Sequence, residues 1–246
     1  MEPLSDVIAW FGQPDRWSFT EGRGVPFRTI QHLWVSVVAT AIAIAIAVPP
    51  ALSLAHRRKA EALASAVVKT GRAIPSFGLI VLFWLFATRV PWIGTGFWPL
   101  VLALVALALP PIFTNTYTAI REVDAATVEA ARGMGYDERQ VLRQIELPLA
   151  SPVMFAGIRL AFVQIIATTA IGAIVTNGGG LGRFVVDGFA LGRAGHAEVL
   201  ADALLLAGLT LLADAVFAAI EKRLIPAGVR SDSSVAVVAN QGGAAG

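Results

Sequence analysis

Apolar residues run through this chain in five stretches too long and too unbroken for the alternating pattern of a water-soluble fold. Residues 33–55 carry no charge and are rich in Ala, Ile and Val, enough for one crossing of a hydrocarbon layer that takes about 20 residues. Residues 97–116, 153–176 and 199–220 predict three further spans, the last two interrupted by Arg159, Asp202 and Asp214. The stretch 73–88 is only 16 residues. Its helix is therefore expected to begin earlier, near Val67, with Lys69 and Arg72 reaching toward the headgroups. The pattern predicts an all-α, polytopic membrane helical bundle of about five transmembrane helices.

The polar remainder is concentrated between the third and fourth spans. Residues 121–147 hold Arg121, Glu122, Asp124, Glu129, Arg132, Asp137, Glu138, Arg139, Arg143 and Glu146, and each would cost several kcal/mol in hydrocarbon. This island must face water, and its sequence suits a helix, a tight turn and a second helical element that Pro148 interrupts. The N-terminal residues 1–32 open on MEPLSDVIAWFGQPDRW, which lacks a basic region and contains acids and prolines before any apolar run, so they do not resemble a cleavable signal peptide. They form an N-terminal extracytoplasmic segment, followed by a transmembrane domain over 33–228 and a disordered tail over 229–246.

Composition agrees, with 56% hydrophobic residues, 15% charged residues and a mean hydropathy of +0.70. Zero cysteines exclude disulfide and thiolate chemistry. The net charge of +2 says less than its distribution. Segments after the first span, within the island and after the fifth span hold twelve Lys and Arg, whereas the alternate segments hold six. Basic residues stay in cytoplasmic loops, which places the N-terminus outside, the C-terminus in the cytoplasm and the island on the cytoplasmic side.

The island's spacing is specific: Glu129, Ala130 and Ala131, three residues, Gly135, nine residues, then Ile145, one residue, Leu147 and Pro148. It resembles the cytoplasmic loop of the permease subunits of bacterial binding-protein-dependent ABC importers. RAIPSFGLI at 72–80, PPIFTNTYTAIREVD at 110–124, ELPLASPVMFAGIRLA at 146–161 and TAIGAIVTNGGGLG at 169–182 agree. Together they resemble the osmoprotectant branch, whose members carry glycine betaine, choline, carnitine or related quaternary amines. The resemblance implies a type I importer permease fold in the bacterial inner membrane, with 121–148 as the coupling loop. It also implies a cytoplasmic ATPase dimer, a second permease subunit identical or different, and an extracytoplasmic solute-binding protein. ATP and Mg belong to the ATPase; this chain is expected to bind no cofactor, metal or nucleic acid and to perform no bond chemistry. An importer of another small solute, an amino acid or a sulfonate, shares the architecture.

In that family the EAA helix lies in a groove of the ATPase. Glu129 is then expected to pair with or cap a partner group, and Ala130 and Ala131 to allow close approach. Gly135 permits a left-handed turn, Gly133 adds flexibility, and Ile145, Leu147 and Pro148 complete the motif, Pro148 ending the coupling element. The NGGGLG stretch at 177–182 lacks the Lys-Ser/Thr of a phosphate-binding loop; Asn177, Gly179 and Gly180 read instead as a tight outer turn at the mouth of the path. Gln164, Thr168 and Thr169 either line the path or hydrogen-bond between helices. Arg159 and Asp214, about six residues from the same side of their spans, either form an intramembrane ion pair or snorkel separately to the interface. His32, His56 and His196 are mutually isolated and read as interfacial, and Trp10, Trp17, Trp34, Trp92 and Trp98 as an aromatic belt. No HExxH, GxGD or intramembrane nucleophile supports a hydrolase.

Overall fold

The computed structural model describes residues 3–19, 24–59, 62, 66–67, 75–176 and 178–224. Its helices are α1 Pro3–Phe11, α2 Val25–His56, α3 Ser76–Thr88, α4 Phe97–Arg121, α5 Ala125–Gly133, α6 Leu147–Thr176, α7 Arg183–Ala190 and α8 His196–Leu224. Four helices among the described residues are long and apolar enough to cross a membrane: Val25–His56, Phe97–Arg121, Glu138–Thr176 and Gly192–Arg223. The predicted second span is the 13-residue α3. At about 1.5 Å per residue it reaches roughly 20 Å, short of a hydrocarbon thickness near 30 Å.

Three boundaries differ from the pattern. Helix α2 begins at Val25, well before residue 33, because its polar first turns find partners inside the protein. Helix α3 begins at Ser76 and not near 67: Pro75 is its N-cap, extended at φ −67 and ψ 121, a φ its ring holds in place. Lys69 and Arg72 lie outside the described residues, as does the expected tail over 229–246. Pro148 does not end the coupling element. Helix Glu138–Gln140 passes into a π-helical turn, Val141–Glu146, and then directly into α6. The Leu147 N–H donates to the Leu142 carbonyl five residues back, and this wider turn, in place of the four-residue bond a proline cannot make, lets the helix continue through Pro148.

Helices α2, α4 and α6 form the centre. Ala39, Ala43, Ala47, Ala51 and Ala55 are buried at four-residue intervals, one stripe of α2. Against it lie Leu100, Leu104 and Ile112 of α4, with Ala161 and Ile165 of α6 in the same cluster. Small residues suit a bundle in lipid, where close backbone approach and dispersion replace the hydrophobic drive. Gly157 of α6 is one such contact: a β-carbon there would fall 2.3 Å from Cβ of Asn115. A second cluster joins α8 to α1 and α7, with Trp10 edge-on to Phe184 at 5.4 Å. Trp10 is thus buried, not a belt residue, whereas Trp17, Trp34, Trp92 and Trp98 are exposed.

Candidate functional site

The segment between α4 and α6 is built to hold its own shape. Asp124 caps α5, its carboxylate accepting from the Thr127 N–H at 3.0 Å and the Thr127 hydroxyl at 2.9 Å. Those hydrogen bonds hold the Asp124 carboxyl below its ordinary range. After nine residues the helix closes on itself. The Tyr136 N–H reaches the Ala131 carbonyl at 3.2 Å and the Gly135 N–H the Arg132 carbonyl at 3.0 Å, with Gly135 left-handed at φ +89. Asp137 then opens the next helix by a reciprocal box: its N–H donates to Gln140 Oε1 and its Oδ1 accepts from the Gln140 N–H, both at 2.8 Å.

A small apolar centre of Val128, Ala131 and Val141, flanked by Val123, Tyr136 and Ile145, locks the two pieces together. Ala131 therefore points inward, which corrects the expectation that both alanines face a partner. Glu129, Ala130, Gly133 and Gly135 are on the outside. So is Met134, at 70% exposure, an apolar prong that the motif reading passed over although it stands between the two glycines. Leu147 packs on the bundle core and Pro148 is exposed. Arg132 grips Glu138 through two hydrogen bonds of 3.0 Å, which raise the guanidinium's already high pKa.

His56 ties this segment to α2. Its Nδ1 lies 2.6 Å from Glu146 Oε2 and its Nε2 3.0 Å from Glu138 Oε2. Both contacts are hydrogen bonds only when both ring nitrogens carry protons. The histidine read as interfacial is thus the pin between the first long helix and the coupling segment. Ninety residues of separation hid it.

At the opposite end of the bundle, α2 clasps the glycine turn after α6. Gln31 donates from Nε2 to the Gly178 carbonyl at 3.4 Å and accepts the Gly180 N–H at 2.9 Å. His32, fully buried, accepts the Leu181 N–H on Nδ1 at 3.3 Å and donates from Nε2 to the Ile166 carbonyl at 2.9 Å. It too is no interfacial residue. Gly179 and Gly180 are both left-handed, at φ +77 and +84; Asn177 lies outside the described residues.

On α6, Thr169 is fully buried, bonded to the Ile165 carbonyl at 2.8 Å and facing the Ser36 hydroxyl of α2 at 3.4 Å. Thr168 is buried and Gln164 exposed, so this polar trio is not one surface. Arg159 and Asp214 are brought together, Nε to Oδ1 and a terminal nitrogen to Oδ2 at 2.6 Å each, with Glu221 at 3.6 Å from the other terminal nitrogen.

Residues 39–226 match the family described as binding-protein-dependent transport system inner membrane component. The chain is 32% identical to the carnitine transport permease protein OpuCB of Listeria monocytogenes, over 92% of its own length and 96% of the relative's. It is 35% identical to the choline transport system permease protein OpuBD of Bacillus subtilis (strain 168), over 92% and 93%. Its fold is similar to that of the MetNI methionine ABC transporter, with a TM-score of 0.67 at 24% identity, covering 80% of this chain and 94% of that one.

Proposed function

The chain belongs to the family of binding-protein-dependent transport system inner membrane components, and from that premise we propose that it forms half of the path of an ATP-driven importer for quaternary-amine osmoprotectants. It is a transport subunit and not an enzyme. The N-terminus and the turn at 178–182 face outward, where a solute-binding protein delivers the solute. The segment 121–148 faces the cytoplasm, where two ATPases dock. A second permease subunit, identical or related, completes the path.

The observation that carries this reading is the built form of the coupling segment. Two capped helices fix the outer face of Glu129, Ala130, Gly133 and Met134. The segment runs without a break into α6 and is pinned to α2 through His56. A displacement imposed on that face therefore moves two of the three central helices, as alternating access requires. Glu129 and Met134 supply a charged and an apolar contact for a groove, and the absence of side chains at Gly133 and Gly135 admits close approach. The path runs past exposed Gln164, with Thr168 and Thr169 behind it as packing. Choline and carnitine, carried by the relatives named above, share a trimethylammonium group, which sets the solute class.

The test is uptake by proteoliposomes holding the chain with its ATPase, second permease and binding protein. Labelled choline or carnitine is expected to accumulate only with internal ATP. Accumulation of amino acids or sulfonates to the exclusion of quaternary amines overturns the solute class, and uptake without ATP overturns the importer reading.

A further inference from the structure

Helix α2 borders two cavities, one at its His56 end beside the segment 121–148 and one farther up. One, of about 680 Å³, is lined by Ser53, Arg57, Arg58, Lys59, Arg132 and Arg139 among others. Its carboxylate, Glu138, is already held by Arg132 and His56. Among the described residues no carboxylate stands within ion-pair distance of Arg57, Arg58, Lys59 or Arg139. Four cations around one cleft, with no such carboxylate among the described residues, repel one another, and an anion between them would relieve that repulsion.

The backbone marks the same spot. The Lys59 N–H reaches back to the Leu54 carbonyl at 3.0 Å and the Arg58 N–H to the Ala55 carbonyl at 2.9 Å, the helix closure that ordinarily uses glycine. Here the left-handed position is Arg58, at φ +50, the only residue other than glycine with positive φ among those described. The turn is held against α4 by the Tyr117 hydroxyl, which donates to the Lys59 carbonyl at 2.9 Å. An arginine kept where glycine would relieve strain points to a use for its charge.

The second cavity, about 490 Å³, lies farther up α2 and is apolar, lined by Ile46, Pro50, Val67, Leu109, Pro110 and Phe113 among others. Positions 46, 50, 53 and 57 follow one another at four, three and four residues, one stripe of a helix. From Pro50 to Arg57 the axis advances about 10 Å. Cationic cleft and apolar groove thus lie in series on one face, where the apolar run of a membrane-spanning helix gives way to charge.

We propose that this face of α2 binds an anionic phospholipid, its phosphodiester held by Arg57, Arg58, Lys59 and Arg139 and an acyl chain laid in the groove between α2 and α4. Free phosphate or an acidic peptide would satisfy the cations but leave the groove empty, whereas a lipid fills both. Clusters of basic residues just beyond a membrane helix attract anionic headgroups on general grounds. The inference takes from the transport reading only the premise that α2 crosses the membrane, and it concerns neither solute nor ATP.

Native mass spectrometry of the full chain, titrated in micelles with phosphatidylglycerol or phosphatidylcholine, tests it. Phosphatidylglycerol adducts are expected to persist at about tenfold lower lipid concentration. Arg57→Gln combined with Arg58→Gly is expected to abolish that preference. Arg58→Gly alone is expected to weaken retention while raising the melting temperature in phosphatidylcholine alone, which separates a lost site from a damaged fold. Equal retention of the two lipids, or undiminished preference in the double variant, overturns the proposal. Displacement by millimolar inorganic phosphate reassigns the cleft to a free anion and overturns it too. Loss of ATPase co-purification in the double variant with lipid retention intact assigns the cleft to the protein partner and likewise overturns it.

Discussion

Gly135 shows most clearly how one residue carries a role. At φ +89 a β-carbon would meet no heavy atom within 4 Å, so a side chain there is penalised by the backbone alone, by about 1–2 kcal/mol. Gly135→Val is expected to leave membrane insertion intact while loosening the turn between α5 and the π-helical segment, lowering ATPase association and transport together. The measurement is ATPase co-purification and solute-stimulated hydrolysis in reconstituted complexes; wild-type values for both would reject the role. Gly133, with a helical backbone and open space around it, should accept alanine without loss of folded protein, so that any effect of the change falls on ATPase approach alone. The need for a left-handed turn at Gly135 was legible from the spacing of the motif. The inward direction of Ala131 was not, because the three letters EAA do not say which face of a nine-residue helix meets Val128 and Val141.

At the scale of elements, α6 and α8 are joined by the fork of Arg159 on Asp214. Arg159→Ala leaves Asp214 without its partner and Asp214→Ala leaves Arg159 only Glu221 at 3.6 Å, and the yield of folded protein is expected to fall in each, more in the first. Exchanging the two, Arg159→Asp with Asp214→Arg, should recover much of it, as size-exclusion profiles of the three variants will show; a swap no better than the single changes would mean the pair has no mutual role. Equal depth from the same side of two spans made this contact one of two readings, separate snorkelling being the other, and only the folded chain brings the two side chains together. The start of α2 was not readable, since Gln31 and His32 look like residues meant for water. Their partners at 178–181 and 166 lie more than 130 residues onward, and only the folded chain shows that burial is matched by hydrogen bonds. Pro148 misled for a related reason: a proline reads as a stop unless the preceding turn is known to be π-helical.

For the molecule as a whole, hydropathy carried the reading far. A bundle of apolar helices with one polar loop between the third and fourth follows from length and charge alone, and the structure gives four full-length helices and one short one among the described residues. Which helices touch did not follow, because apolar faces in lipid lack the polar side that orients a soluble helix. The histidine pin is the main global feature left unread. His56→Leu removes both contacts to Glu146 and Glu138; hydrogen exchange across 138–146 should quicken and uptake fall. Unchanged exchange would mean the capped turns alone position the segment.

Helix α2 is one unbroken piece of 32 residues, fastened by Gln31 and His32 to the glycine turn at one mouth and by His56 to the docking elbow at the other. A tie rod anchored at both ends carries pull as readily as push. On the proposed orientation, strain entering where the solute arrives and strain entering where nucleotide is spent load the same member, and the two faces of the bilayer sense each other without a further relay.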